Sequence, residues 1–410
     1  MENSRTSLVR RWRTALVVVV AVAGAGEMLW CAVALRHGAP LDLGVYRAAA
    51  KNLLAGGSPY TAHFGRAHLP FTYPPFALFW FVALTVLGTV PVAILWWVAS
   101  VTALLLVCAR ALASTTTWRA GDRWLVAAAL AGTSSFVLEP VRNSISFGQI
   151  NLLLMVLITT DVLSGPSRWR GLRVGVASAL KLTPLAYVPG FALARDRRAA
   201  LRALAVFLGG TALAWALWPA GSSTFWRSQA FSPGHKGGAF GAANQSEFGL
   251  IHRVLGVGPP ATVVWLAASA VTVAGGYWCA RRYFHAGRSL DALVALALTE
   301  VLVSPVSWTH HWSWVVLMPV LGAARWRSDR LLSLGCAAVT LVAVAMPYHW
   351  HAWRWYGHGP WRALPGFSLT LVGAMLLGVM VAGAWRERRA RARAVTGATR
   401  TVRAASGTHA

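Results

Sequence analysis

The chain has 410 residues, of which 56% are hydrophobic and only 12% charged. A soluble protein of this length needs far more polar surface, so the composition specifies an all-α, polytopic membrane protein. The net charge of +26 invites a nucleic-acid reading. The arginines, however, are gathered in short clusters between apolar runs: Arg5 to Arg13, Arg168 to Arg173, Arg195 to Arg202, Arg281 to Arg288, Arg325 to Arg330 and Arg386 to Arg393. That is the pattern of cytoplasmic loops and tails, not of a continuous basic face, and no nucleic-acid partner is expected.

Apolar runs long enough to cross, or nearly cross, a bilayer fall at 14–35, 75–88, 91–113, 124–138, 150–164, 174–194, 202–219, 261–280, 290–304, 312–324, 330–347 and 366–385. They predict a bundle of about twelve membrane helices in one domain, 1–385, followed by a basic cytoplasmic tail, 386–410, expected to be disordered. The first run lacks a small-residue cleavage site and reads as an uncleaved span. The segment 36–73 is a long first loop with room for one or two interfacial helices, broken at Gly56-Gly57-Ser58-Pro59. With the basic flanks inside, the loops 36–73, 220–258, 304–311 and 347–365 fall on the external face. The middle admits two readings. Counting every run as a span leaves Arg168 to Arg173 outside. Taking 75–113 as one broken crossing and 174–194 as a re-entrant hairpin restores the charge pattern. The four cysteines lie in apolar runs without paired spacing, so neither a disulfide framework nor a zinc site is expected.

With only 12 Asp plus Glu in the chain, groups able to accept a proton are few. Asp42, in Leu41-Asp42-Leu43-Gly44-Val45-Tyr46, stands at the mouth of the bundle just after the first span and is a candidate general base. Lys181, in Lys181-Leu182-Thr183-Pro184, lies in an apolar run that Pro184 interrupts, which suits an ammonium binding a phosphate. In Ser304-Pro305-Val306-Ser307-Trp308-Thr309-His310-His311 the adjacent imidazoles diverge by about 100° on a helix and cannot share a metal. One of His310 and His311 can instead donate to a phosphate oxygen. Tyr73 and the amides of Gln149, Asn151, Asn244 and Gln245 suit sugar hydroxyls. Glu27, Glu139, Arg142 and Glu300 also lie in or beside apolar segments, where a charge must find a partner or a wet cavity. The aromatic, His-rich loop 347–365 reads chiefly as an interfacial belt.

Taken in order, Asp42-Leu43-Gly44-Val45-Tyr46, Phe71-Thr72-Tyr73-Pro74-Pro75, Gly148-Gln149-Ile150-Asn151, Lys181-Leu182-Thr183-Pro184, Asn244-Gln245-Ser246 and Ser304-Pro305-Val306-Ser307-Trp308 with His310-His311 resemble glycosyltransferase family 87. These are integral-membrane, polyprenol-phosphate-mannose-dependent alpha-(1-2)-mannosyltransferases of the GT-C class. The resemblance implies a polyprenyl-phosphate-mannose donor, a lipid-linked acceptor of phosphatidylinositol mannoside or lipomannan type, and an active site on the external face of a bacterial plasma membrane. It implies inverting transfer with Asp42 as base, with His310, His311 and Lys181 on the donor phosphate. Tyr46, Tyr73, Gln149, Asn151, Asn244 and Gln245 would then contact sugar or acceptor. A single acid in the first loop, with no Asp-x-Asp pair, points to metal-independent transfer without a cofactor. A different lipid-linked sugar such as arabinofuranose is the nearest alternative. A transporter is disfavoured because the 41–76 pattern has no counterpart later in the chain, as an internal repeat would require.

Single cysteines placed in 36–73, 220–258 and 347–365 should react with membrane-impermeant reagents from outside, whereas those in 325–330 and the C-terminal tail should not. External labelling of the tail would invert the topology and displace every site above.

Overall fold

The computed structural model describes residues 2–36, 38–65, 67–230, 240–346 and 364–406. The aromatic loop with Tyr348, His349, His351 and Trp353 to Trp361 lies outside the described residues. Helix α1 (Glu2–Arg36) is followed by α2 (Leu41–Leu54), a two-residue hairpin of β1 (His63–Phe64) and β2 (Leu69–Pro70), and α3 (Pro75–Val82). Then come α4 (Thr89–Ala113), α5 (Ala120–Val137), α6 (Glu139–Ser146), α7 (Asn151–Val162), α8 (Leu172–Leu180), α9 (Val188–Leu193) and α10 (Arg197–Leu217). The chain continues through α11 (Pro219–Thr224), α12 (Glu247–Leu255), α13 (Pro259–His285), α14 (Ser289–Val303), α15 (Leu317–Arg325), α16 (Arg330–Ala345) and α17 (Ser368–Ser406). The basic segment expected as a disordered tail is thus helical as far as Ser406.

Five helices are long and apolar enough to cross a membrane among the described residues: Arg11–Ala34, Thr89–Ala113, Arg197–Leu217, Pro259–His285 and Ser368–Ala390. A sixth crossing results if α5 and α6, bent by 83° at Leu138, count as one. The expected twelve runs are therefore not twelve full-length helices. Those at 75–88, 150–164, 174–194 and 312–324 form short or broken pieces, tolerated because protein rather than lipid covers their ends. Val22, Leu266 and Val271 are 66%, 54% and 73% exposed, as expected of side chains that meet lipid. Helix α14 is the opposite case: from Leu290 to Thr299 every residue is buried, which makes it the central helix of the bundle.

Ion pairs reveal how the pieces are threaded. Arg13 pairs with Asp122 at 2.7 Å, so α1 and α5 start at the same end. Arg170 reaches Asp196 at 3.4 Å, and Arg170 also donates to the Val162 carbonyl. The two ends of 172–194 therefore meet, and the segment is a hairpin with its turn at Lys181 to Tyr187. This is the re-entrant reading of the middle region. It follows locally from Pro184, which has no N–H to continue α8, and from the extended backbone of Lys181 (φ −151°, ψ 138°). Gly171 makes the base of the hairpin possible. At φ +96° it packs so closely on α10 that a Cβ would lie 2.1 Å from the Ala199 carbonyl oxygen.

His285 contacts the Leu193 carbonyl at 3.1 Å and joins this base to the ends of α13 and α14. There Asp291, fully buried, accepts from Arg288 and from Arg325 at 2.6 Å, while Arg288 also pairs with Glu387 of α17. All five ion pairs among the described residues thus lie at one end of the bundle, the arginine-rich end. Removing the acid from a buried pair strands its partners' charge, so Asp291→Asn should cost on the order of 3 kcal/mol. The expected outcome is a clear fall in Tm in detergent, with Asp122→Asn, at a more exposed pair, far milder.

Candidate active site

At the end opposite the arginine-rich one, α2 carries Asp42 in its first turn, where the helix dipole favours a carboxylate. The backbone N–H groups of Asp42 and Leu43 both donate to the Phe147 carbonyl, at 2.8 and 3.3 Å. Phe147 ends α6, and the next residue, Gly148, adopts φ +65°. A Cβ there would sit 2.7 Å from the Leu43 Cβ and 3.0 Å from the Pro40 Cβ, so only glycine lets this turn press against α2.

The turn delivers two amides to two different groups. Gln149, 4% exposed, accepts on its Oε1 from the hydroxyls of Tyr46 and Tyr73, each at 3.1 Å, and those hydroxyls lie 2.7 Å from one another. The Gln149 amide also acts on the nearby Asp42 carboxylate, favouring its charged form. Tyr60 donates to the Tyr73 carbonyl at 2.9 Å and fixes the second tyrosine. Burial pushes Asp42 up to about 6, against the smaller opposing influences of the Gln149 hydrogen bond and the Lys181 charge. A carboxylate titrating there is charged near neutrality yet basic enough to take a proton.

Two residues on, Asn151 holds Lys181. The Lys181 ammonium donates to the Asn151 Oδ1 at 2.8 Å and lies 3.2 Å from the His311 Nε2. It also stands 5.7 Å from the Tyr73 ring centroid. The Asn151 Nδ2 donates to the His310 carbonyl at 3.1 Å, an oxygen that also accepts from Ser144 and Ser313 at 2.9 and 2.8 Å. Thr309 is tied to Glu139 at 2.9 Å. The loop that bears the histidines is thereby pinned at Thr309 and His310 to α6 and α7. Beneath Lys181 and His311 lies a cavity of about 30 Å³, room for roughly one water, bounded also by Thr183, Glu300 and Trp314.

The two histidines play different parts. His311 is half-buried and turned to Lys181. His310 is buried, its ring edge-on to Phe147, its Nε2 lacking a hydrogen-bond partner among the described residues. Burial, aided by the Lys181 charge, lowers His310 to about 3, so its imidazole is neutral.

Asn244 and Gln245 are placed differently from the other amides. Asn244, fully buried, accepts from the Ser307 N–H at 2.8 Å and donates to the Pro305 carbonyl at 2.9 Å. Gln245, also fully buried, donates to the Ala242 and Gly366 carbonyls at 2.7 and 2.5 Å and accepts from the Leu369 N–H at 3.2 Å. Ser246 caps α12 by accepting from Gly249. The Asn244-Gln245-Ser246 run joins α12, the 305–308 loop and the start of α17 through their backbones. Sequence reading saw amides suited to sugars and could not see that their atoms are committed to the main chain. It also missed Ser144 and Ser313, whose types carry no signal and whose importance comes only from meeting at His310.

The sequence model of Glycosyltransferase family 87 matches residues 71–305. That stretch contains Tyr73, Gln149, Asn151, Lys181, Asn244 and Gln245, with Asp42, Tyr46 and the histidine pair flanking it. A polyprenol-phosphate-mannose-dependent alpha-(1-2)-phosphatidylinositol mannoside mannosyltransferase of Mycobacterium tuberculosis (strain ATCC 25618 / H37Rv) is 30% identical, over 90% of this chain and 95% of its own. Its namesake in Mycolicibacterium smegmatis is 34% identical over 75% of this chain and 74% of the relative. A polyprenol-phosphate-mannose-dependent alpha-(1-2)-phosphatidylinositol pentamannoside mannosyltransferase of Mycobacterium tuberculosis (strain CDC 1551 / Oshkosh) is 31% identical over 85% of this chain and 83% of the relative. No solved structure matches. The chain belongs to glycosyltransferase family 87.

Proposed function

We propose that this protein is a membrane mannosyltransferase that moves mannose from a polyprenyl-phosphate-mannose donor to a lipid-linked mannoside of phosphatidylinositol mannoside type, forming an alpha-(1-2) linkage on the external face of the plasma membrane. The observation that carries the reading is the 148–151 turn, which holds a carboxylate through Gln149 and an ammonium through Asn151. A base and a cation on adjacent arms of one turn are what glycosyl transfer from a phosphate ester needs.

The acceptor hydroxyl attacks the anomeric carbon and gives its proton to Asp42. The bond from that carbon to the phosphate oxygen breaks, and polyprenyl phosphate leaves with the electron pair. Attack opposite the leaving group inverts the anomeric centre. Lys181 and His311 face the departing phosphate, and stabilising such developing charge is usually the largest catalytic contribution. The Lys181–His311 contact requires a neutral Nε2 acceptor while the ammonium points at it. His310, neutral and buried, is a candidate hydrogen-bond donor at the same place. Tyr46 and Tyr73 set the carboxylate through Gln149, and Asn244 and Gln245 support the histidine loop from behind.

Asp42→Asn should fold normally and lose transfer by about 10²–10⁴-fold, the usual worth of a general base; near-parental turnover would remove Asp42 from the mechanism. In the parent, transfer should decline as pH falls through about 6, where the carboxylate takes up its proton. Gln149→Ala should move that decline to higher pH, because the amide stabilises the charged form. Lys181→Met and His311→Ala should each raise the donor KM by roughly tenfold or more, the value of one charge-assisted hydrogen bond. The double variant should fall short of the product of the two, since both act on one phosphate. Unchanged donor affinity in both variants would put the phosphate elsewhere.

A further inference from the structure

Between α1, α5, α15 and α16 lies a crevice of about 410 Å³ with almost wholly carbon walls. Leu16 and Val19 of α1, Pro319 of α15 and Val344 of α16 form its sides, and α5 forms its floor from Val126 to Leu138. It runs for roughly 18 Å along α5 at 1.5 Å per residue. The crevice opens outward, where Thr133 and Val137 are exposed. Since α5 begins beside Arg13 at the arginine-rich end, the Leu138 end of the crevice is the end nearest the active site.

Over that end stands Arg142. Its guanidinium donates to the Phe136 carbonyl at 3.4 Å and to the Met346 sulfur at 3.3 Å, so it bridges the tops of α5 and α16. Neither partner is an anion, and Arg142 enters none of the ion pairs among the described residues. The one acid on its own helix, Glu139, is turned to Asn143 and Thr309. A long apolar slot headed by a guanidinium that joins none of the ion pairs among the described residues is complementary to an anionic lipid, with one chain in the slot and the phosphate on the guanidinium.

Two lipids take part in the proposed reaction, and chemistry separates them. In the donor the reacting carbon is bonded to a phosphate oxygen, so the donor phosphate must lie at the reacting centre itself, across the anomeric carbon from the base and beside Lys181. In the acceptor the attacking hydroxyl belongs to a sugar, and the headgroup separates it from the lipid phosphodiester. Arg142 meets the second requirement. It stands five residues, roughly 7.5 Å of helix, before Phe147, the residue that holds Asp42. We infer that Arg142 and the crevice between α1, α5, α15 and α16 form the anchor site of the acceptor, taking its phosphodiester and an acyl chain, with α6 as the spacer between anchor and reacting sugar. This inference rests on the transferase reading above.

The test compares three acceptors with reconstituted full-length enzyme: phosphatidylinositol mannoside, its deacylated glycerophosphoinositol form, and an uncharged alkyl mannoside. Arg142→Leu should raise KM about tenfold to a hundredfold for both phosphodiester acceptors. It should leave KM for the alkyl mannoside and for the donor unchanged. Thr133→Trp, which fills the crevice from its exposed side, should raise KM only for the acylated acceptor, and Arg142→Lys should recover part of the loss. A rise in donor KM with Arg142→Leu would assign the crevice to the polyprenyl chain and overturn the proposal. Parental KM values in both variants would also overturn it, leaving the slot to bulk lipid. A parent enzyme that transfers no mannose to any acceptor would instead sink the transferase reading itself.

Discussion

The site depends on a single backbone contact, the Phe147 carbonyl receiving the first two N–H groups of α2. A helix start needs acceptors for its unsatisfied donors, and here the acceptor comes from another element rather than from a capping side chain. That choice locks α2 to the end of α6. Because Gly148 adds no side chain, the lock closes tightly enough for Gln149 to reach Asp42 and for Asn151 to reach Lys181. Any bulk at Gly148 would press on Leu43 and Pro40 and push the start of α2 away from the turn. The Tyr46–Tyr73–Gln149 network then removes the remaining freedom of the amide, so its orientation is set by hydrogen-bond supply alone.

Charge is divided between the two ends of the molecule by the same economy. Twelve acids must serve 38 basic side chains. The ion pairs they form gather at the arginine-rich end, where Asp291 joins α14 to α15 and, through Arg288, to α17. At the opposite end Asp42 carries the Gln149 amide beside it, and Lys181 is held by the Asn151 side chain.

The sequence carried the membrane class and the order of the site segments, because hydropathy and arginine clustering record the bilayer directly. Pro184 marked the break at Lys181, and the arginines at 168–173 already argued for a hairpin there, which Arg170 and Asp196 close. Pattern could not distinguish the two uses of an amide. Gln149 and Asn244 look alike in sequence, yet one spends its oxygen on two tyrosines beside a carboxylate, while the other is consumed by the main chain. Nor could it separate His310 from His311, since which ring turns inward depends on three serine, asparagine and serine donors that converge on one carbonyl from distant parts of the chain. The short lengths of α7 and of the 309–316 segment were likewise hidden, because an apolar run has the same composition whether lipid or protein surrounds it.

The 172–194 hairpin has a mechanical corollary. A helix that crosses the bilayer is held at both faces, but this segment enters and leaves at the arginine-rich end, and Lys181 sits at its turn, where Asn151 and His311 meet it. Its root is clamped by the Asp161 carboxylate, which takes the Gly171 and Val174 N–H groups, and by the Arg170–Asp196 pair. A slackened clamp at the root would therefore load the Asn151 and His311 contacts at the turn, so the arginine-rich end and the Lys181 end are mechanically coupled through one short hairpin.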